Sequence, residues 1–141
     1  MTESILNSFR RLRTSDPDRR LFTFVDDRGD DTATLTVRQL GAAADRVAES
    51  LRGWGFAPGD RAILVYPPSL DFVEAFLGCL VAGVLPVPVY PPNPFRLKKD
   101  LATFTAIAAN SGARGVLTNS AYDRTRSAGT VANLFSKDAP R

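Results

Sequence analysis

Hydrophobic positions along the chain change period several times, and each change marks an element. Residues 4 to 13, SILNSFRRLR, place Ile5, Phe9 and Leu12 near one helical face and turn Arg10, Arg11 and Arg13 outward, which predicts a short docking helix. Thr14 to Arg20 reads as a turn-rich connector. LFTFVDD and TATLT then flank Arg28-Gly29-Asp30, and their β-favouring residues predict a hairpin. Its second arm runs into a helix start. Thr36 with Gln39 three residues on is a capping-box pair, and Leu35 and Leu40 are placed for a hydrophobic staple. Val37, Leu40, Ala44, Val47, Ala48 and Leu51 keep a 3.6-residue spacing, with Arg38, Asp45, Arg46, Glu49 and Arg52 opposite and Gly53 and Gly55 as the stop.

The next stretch has no polar face. Arg61 to Tyr66 is an apolar strand, as expected where helices cover both sides of a parallel sheet. A Tyr-Pro-Pro corner follows, then a helix from about Leu70 to Val84 with Ser69 as N-cap and Asp71 in its first turn. Phe72, Val73, Phe76, Leu77, Leu80, Val81 and Val84 cover much of its circumference, so it is expected to lie between layers, with Gly78 and Gly83 allowing close backbone approach. Leu85 to Tyr90 is a second strand. Pro86 and Pro88, two apart, each remove a donor on the same side and predict an edge or partly paired strand. Strand, helix and strand make one right-handed β-α-β unit, whose carboxyl edge carries both Tyr-Pro-Pro corners and is where such sheets bind ligands.

Asn93 and Pro94 predict the start of a further helix with Leu97, Leu101, Phe104 and Ala108 on its apolar face and Gly112 at its end. Gly115 to Thr118 predicts a short buried strand. From residue 119 to 141 the pattern fades, with only Val131, Leu134 and Phe135 suggesting more helix, and Ser136 to Arg141 reads as the interior of a longer protein. The fold class is therefore α/β: a docking helix and connector over residues 1–20, a hairpin, then βαβ units with a mainly parallel sheet, all within one partial domain.

Composition narrows the chemistry. A length of 141 residues suits one domain, and 44% hydrophobic with 23% charged residues is ordinary for a globular chain. A net charge of +3 with Arg dispersed along the chain makes no case for nucleic acid. The absence of His excludes His-dependent triads and His metal sites within the chain, and one Cys, Cys79, cannot form an internal disulfide and reads as a core residue. The nearly uncharged run Ala75 to Tyr90 falls short of the about 20 residues a spanning helix needs and is broken by prolines; with no signal peptide, a cytoplasmic location is expected. No G-x-x-x-x-G-K-[ST] loop and no G-x-G-x-x-G fingerprint is present. The small-residue clusters Ser111 to Gly115 and Ser127 to Thr130 read as loops, and Asp26, Asp27, Asp30 and Asp31 as a solvated hairpin tip.

At the residue level the chain resembles the adenylate-forming superfamily of acyl-CoA synthetases, luciferases and peptide-synthetase adenylation domains. The residues concerned are LTVRQL (Leu35 to Leu40), Gly55, Pro58-Gly59-Asp60-Arg61 and AFLGCLVAGVLPVPVYPP (Ala75 to Pro92). Tyr-Pro-Pro before a Leu-Asp-Phe helix, and Tyr-Pro-Pro-x-Pro at Tyr90 to Pro94, are more similar to the fatty acyl-AMP ligases; a peptide-synthetase domain would show Tyr-Val-Pro-Leu-Asp-Pro here. The resemblance covers about Leu21 to Ser120.

It implies ATP- and Mg²⁺-dependent activation of a fatty acid to an acyl-adenylate and transfer to the phosphopantetheine thiol of an acyl carrier protein, with the remainder of the ligase domain as a further partner. The family's phosphate loop, adenine motifs and catalytic Lys come later than this chain reaches, so no catalytic, cofactor or metal residue is expected here and the chain alone is expected to be inactive. Lys98, Lys99 and Lys137 match no catalytic position. Tyr66, Pro67, Tyr90 and Pro91 are the candidate substrate residues, bordering an acyl tunnel, against a simpler role in shaping rigid turns. Alternatives are a non-catalytic adenylation-like module and an acyl-CoA ligase. Open strand edges and an uncovered apolar face predict self-association of the isolated chain.

Overall fold

The apolar run after Arg61 has no polar side because both of its faces are covered. In the computed structural model, which describes residues 3–120, it forms β3 (Arg61–Val65), with Ala62 to Val65 each 1% exposed or less. β4 (Leu85–Val89) and β5 (Gly115–Thr118) flank it, both parallel to it, in the order β4-β3-β5. Ala62 and Leu64 face a cluster with Leu51, Ala75, Cys79 and Leu117, while Ile63 and Val65 pack with Phe104 on the other side. Alternation along one strand thus feeds two cores.

The first core is built by helices α2 (Val37–Gly53) and α3 (Leu70–Ala82). α2 starts as its sequence demands: Gln39 N donates to Thr36 Oγ1 at 3.2 Å, and Thr36 N donates to Gln39 Oε1 at 2.9 Å. α3 meets it through small residues. A Cβ added at Gly78 would stand 2.4 Å from Val47 Cβ and 3.1 Å from the Ala44 carbonyl oxygen, so the close crossing requires glycine. The fully buried face of α3 is accordingly Ala75, Leu77, Gly78, Cys79 and Ala82. Phe72, Val73, Phe76, Leu80 and Val81 are half-buried at its flanks, where full burial between layers was expected. The helix ends at Ala82, two residues before Val84, with Gly83 (φ +74) as its cap, and Val84 N closes the end by donating to the Cys79 carbonyl at 2.8 Å.

At its N-terminus the expected Ser69 cap is not made. The Ser69 hydroxyl donates to the Pro67 carbonyl at 3.0 Å, because the corner's own carbonyl lies within reach. β4 is an edge strand. Leu85 N donates to the Asp60 carbonyl at 2.8 Å, so alternation puts the N–H-lacking positions Pro86 and Pro88 on the open side. Asn93 and Pro94 begin a 3₁₀ turn (Pro94–Arg96) rather than the helix itself; Phe95 N donates to Asn93 Oδ1 at 2.8 Å, and α4 (Leu97–Ser111) follows. β5 is less buried than expected. With β3 on one side only, Val116 keeps 38% exposure.

The hairpin β1 (Arg20–Val25) and β2 (Asp31–Thr36) is antiparallel, and Asp26 Oδ1 accepts from Arg28 N and Asp30 N at its tip. α1 (Ile5–Ser15) is longer than expected and consumes part of the connector. It docks through Leu6, Phe9 and Leu12, leaving Ile5 71% exposed. Arg13 does not turn outward. Four residues after Phe9 it shares the docking stripe, and it passes over Gly41 to give a two-pronged pair with Asp45 at 3.2 and 2.8 Å, the hydrogen bond that holds its pKa above the ordinary value. The last stretch of the faint C-terminal pattern, with Val131, Leu134 and Phe135, lies outside the described residues.

Two glycine substitutions of identical chemistry are expected to diverge. Gly78→Ala pushes a Cβ into the rigid Val47 stem and is expected to cost about 1–3 kcal/mol. Gly41→Ala meets only the movable end of Arg13 and gains helix propensity, so it is expected to stay within about 1 kcal/mol of wild type. Urea unfolding of both variants checks this; equal stability would show that α2 and α3 do not cross at Gly78.

Candidate functional site

Register brings the two proline corners together. Val65 pairs with both Val89 and Thr118, so all three strands end on one level, and Tyr66-Pro67-Pro68 and Tyr90-Pro91-Pro92 leave β3 and β4 side by side. From β5, Asn119 Nδ2 donates to Asp71 Oδ2 at 2.9 Å, tying that strand end to the first turn of α3. The hairpin closes the remaining side. Its base is pinned by Val37 N to the Arg19 carbonyl at 3.0 Å and Arg38 N to the Pro17 carbonyl at 2.8 Å.

Between hairpin and corner lies a cleft of about 410 Å³, within the range of small-molecule sites. Its walls are Phe22 to Phe24 of β1, the corner from Tyr66 to Leu70, Phe72 and Val73 of α3, and Tyr90. Of the four candidate residues, Tyr66, Pro67 and Tyr90 line it and Pro91 does not. Phe22 and Phe24 were not singled out in the sequence, where they read simply as hairpin residues; their alternation was the available signal.

No lining residue carries a charge. The Ser69 hydroxyl is bonded to the Pro67 carbonyl, and Thr23 Oγ1 lies 3.4 Å from Thr34 Oγ1. Tyr66 and Phe72 meet edge-on with ring centroids 6.4 Å apart, and Phe72 continues to Phe76 at 5.9 Å. Burial, reinforced by Cys79, Asp71 and Glu74, pushes the Tyr66 phenol up to about 12. Burial also raises Glu74, with Asp71 adding and Arg46 opposing. The cleft therefore offers neutral, largely apolar walls and no group suited to acid, base or nucleophilic work near neutral pH.

Cys79 is fully buried in the first core, and burial pushes its thiol up to about 11. Among the described residues no group of three His, Cys, Asp or Glu side chains is placed to hold a metal ion. The loop Ser111 to Gly115 sits at the opposite, amino edge of the sheet, where Arg114 stacks 5.8 Å from the Phe56 centroid and approaches Asp60 at 3.5 Å. Ser127 to Thr130 lies outside the described residues. No helix among those residues is long and apolar enough to cross a membrane.

A parallel sheet of this order with corners at its carboxyl edge is the architecture of the N-terminal domain of adenylate-forming ligases. The fatty acid AMP ligase from Legionella pneumophila superposes with a TM-score of 0.80 and 32% identity, covering 89% of this chain and 21% of that one. The AMP-binding enzyme family matches residues 9–140, and the chain belongs to that family. Human Disco-interacting protein 2 homolog A is 42% identical over 109 residues, which are 77% of this chain and 7% of that protein. The medium-chain-fatty-acid–[acyl-carrier-protein] ligase JamA of Moorena producens is 34% identical over 101 residues, 72% of this chain and 17% of that ligase. The chain thus spans less than a fifth of either curated relative.

Tyr66 and Cys79, both raised by burial, make stability pH-dependent in the same direction. Their folded pKa values exceed the ordinary 10.0 of Tyr and 9.0 of Cys, so the unfolded chain loses its protons first and stability falls as pH rises. The fall is expected between about pH 9 and 11 for Cys79 and about pH 10 and 12 for Tyr66. Unfolding free energies across pH 8–12 check this: Tyr66→Phe is expected to remove the upper part of the decline, and an unchanged profile would place the Tyr66 hydroxyl in solvent.

Proposed function

We propose that this chain is the N-terminal part of a fatty acyl-AMP ligase, in which it forms a structural layer and one wall of the acyl site. The observation that carries the reading is the pair of Tyr-Pro-Pro corners set level on the carboxyl edge of a parallel sheet, beside a cleft without charged lining. The likeness to a fatty acid AMP ligase in fold and to JamA in sequence supports it. In the longer protein, the acid's carboxylate attacks the α-phosphate of ATP to give acyl-adenylate and pyrophosphate, and the acyl group passes to a carrier protein's phosphopantetheine thiol. When bound, ATP and Mg²⁺ supply the phosphoryl electrophile and charge screening, from residues other than those described. Tyr66, Pro67 and Tyr90 border the apolar chain; Pro91 stiffens the second corner. The reaction belongs in the cytoplasm.

Similarity to the Disco-interacting protein favours a second reading, an adenylation-like module that binds without catalysing. An acyl-CoA ligase differs in the acceptor.

The longer reading frame, expressed whole, is expected to show fatty-acid-dependent ATP–pyrophosphate exchange and to load an acyl carrier protein in preference to coenzyme A. The 141-residue chain alone is expected to show none. Absence of exchange in the whole protein would favour the binding module, and preferential loading of coenzyme A would make it an acyl-CoA ligase.

A further inference from the structure

Phe95 is the most exposed large apolar side chain among the described residues, at 96%, yet its backbone is fixed. Phe95 N donates to Asn93 Oδ1 at 2.8 Å and Arg96 N to the Asn93 carbonyl at 3.0 Å, closing the 3₁₀ turn from which α4 continues without a break. Lys98 and Lys99 follow three and four residues after Phe95, the spacing of neighbours on a helical surface, and Arg96 stands beside them in the chain. All three cations are exposed. No acid occurs from Ala75 to Lys99, and the first one after them, Asp100, accepts from Asn93 N at 2.9 Å. Among the described residues no carboxylate pairs with Arg96, Lys98 or Lys99, whereas two arginines of α1 are answered, Arg11 by Glu3 and Arg13 by Asp45.

We propose that this turn is a membrane-docking element: Phe95 enters the interfacial layer of an anionic bilayer while Arg96, Lys98 and Lys99 meet its lipid phosphates. The charge selects an anionic partner, and the shape selects a bilayer over an acidic protein. A ring with almost nothing around it is a point to be inserted, not a groove to be filled, and Phe95 is no part of the cleft lining. A lipid interface takes up such a point without a matching pocket. The lysine stems lie along the acyl boundary with their ammonium groups at the phosphates. One ring and three cations make a reversible, salt-sensitive contact and not a permanent anchor. No spanning helix is needed for it.

The test is vesicle sedimentation of the protein at its full natural length, so that any segment covering this face is present. Binding is expected to phosphatidylcholine vesicles containing about 30% phosphatidylglycerol, to be at least about tenfold weaker without the anionic lipid, and to fall steeply at about 0.5 M salt. Replacing Arg96, Lys98 and Lys99 together by Gln is expected to weaken it at least about tenfold, since each cation near an anionic surface contributes roughly fivefold. The charge-matched control, with the exposed Arg10, Arg20 and Arg28 replaced by Gln, is expected to stay within about twofold of wild type, because their distance from the turn leaves them screened. Phe95→Ser is expected to weaken binding at least about threefold with the salt dependence retained, as loss of one apolar contact demands. Phe95→Trp is expected to keep binding and to add tryptophan emission that brominated lipid quenches, which reads insertion directly. Failure to bind anionic vesicles, because another segment covers the face or because an acidic protein or RNA binds there instead, would overturn the proposal. So would equal losses in the two triple variants, unchanged binding of Phe95→Ser, or a Phe95→Trp emission that brominated lipid leaves unquenched.

Discussion

Everything described depends on β3 being buried from both sides. Four successive side chains with essentially no exposure cannot come from a sheet that faces water, so the strand requires a helical layer on each face. α2 and α3 supply one, and α4 with Phe104 supplies the other. The first layer is held much the more closely. Its two helices cross where Gly78 meets Val47 and Ala44, a contact that brings backbones together and multiplies dispersion contacts.

That geometry sets the carboxyl edge. Because β4 and β5 share a terminal rung with Val65, the corners and Asn119 arrive together rather than staggered, and Asp71 is drawn to the strand end. Proline makes the corners stiff and strips donors from the open side of β4, which discourages pairing with another strand there. The result is a fixed, neutral wall. Hairpin docking then turns an edge into a cleft.

The chain belongs to the AMP-binding enzyme family over residues 9–140. Its described residues give the cleft shape and apolar surface, with no charged side chain in the lining. The raised Tyr66 phenol and Cys79 thiol belong to the same picture: burial keeps both neutral, as befits wall and core.

Much of the fold was legible because its signals are local. The Thr36–Gln39 capping box, the 3.6-residue spacing of α2, the apolar run of β3 and the paired prolines of β4 each act within a few residues. Where an element had two nearby partners to choose from, the sequence alone was ambiguous. Ser69 bonded to Pro67 instead of capping α3, Asn93 opened a 3₁₀ turn instead of α4, and Arg13 crossed Gly41 to Asp45 instead of pointing to water. The candidate residues Tyr66, Pro67 and Tyr90 could be placed on one edge from the βαβ pattern. Phe22 and Phe24 could not, since their place opposite Tyr66 is set by how the hairpin docks, a contact between residues more than forty apart in the chain. The chain's own order determined the elements, the parallel unit and the corners; packing alone decided which surfaces face one another, because contacts at long range depend on summed shape rather than on any local residue pattern.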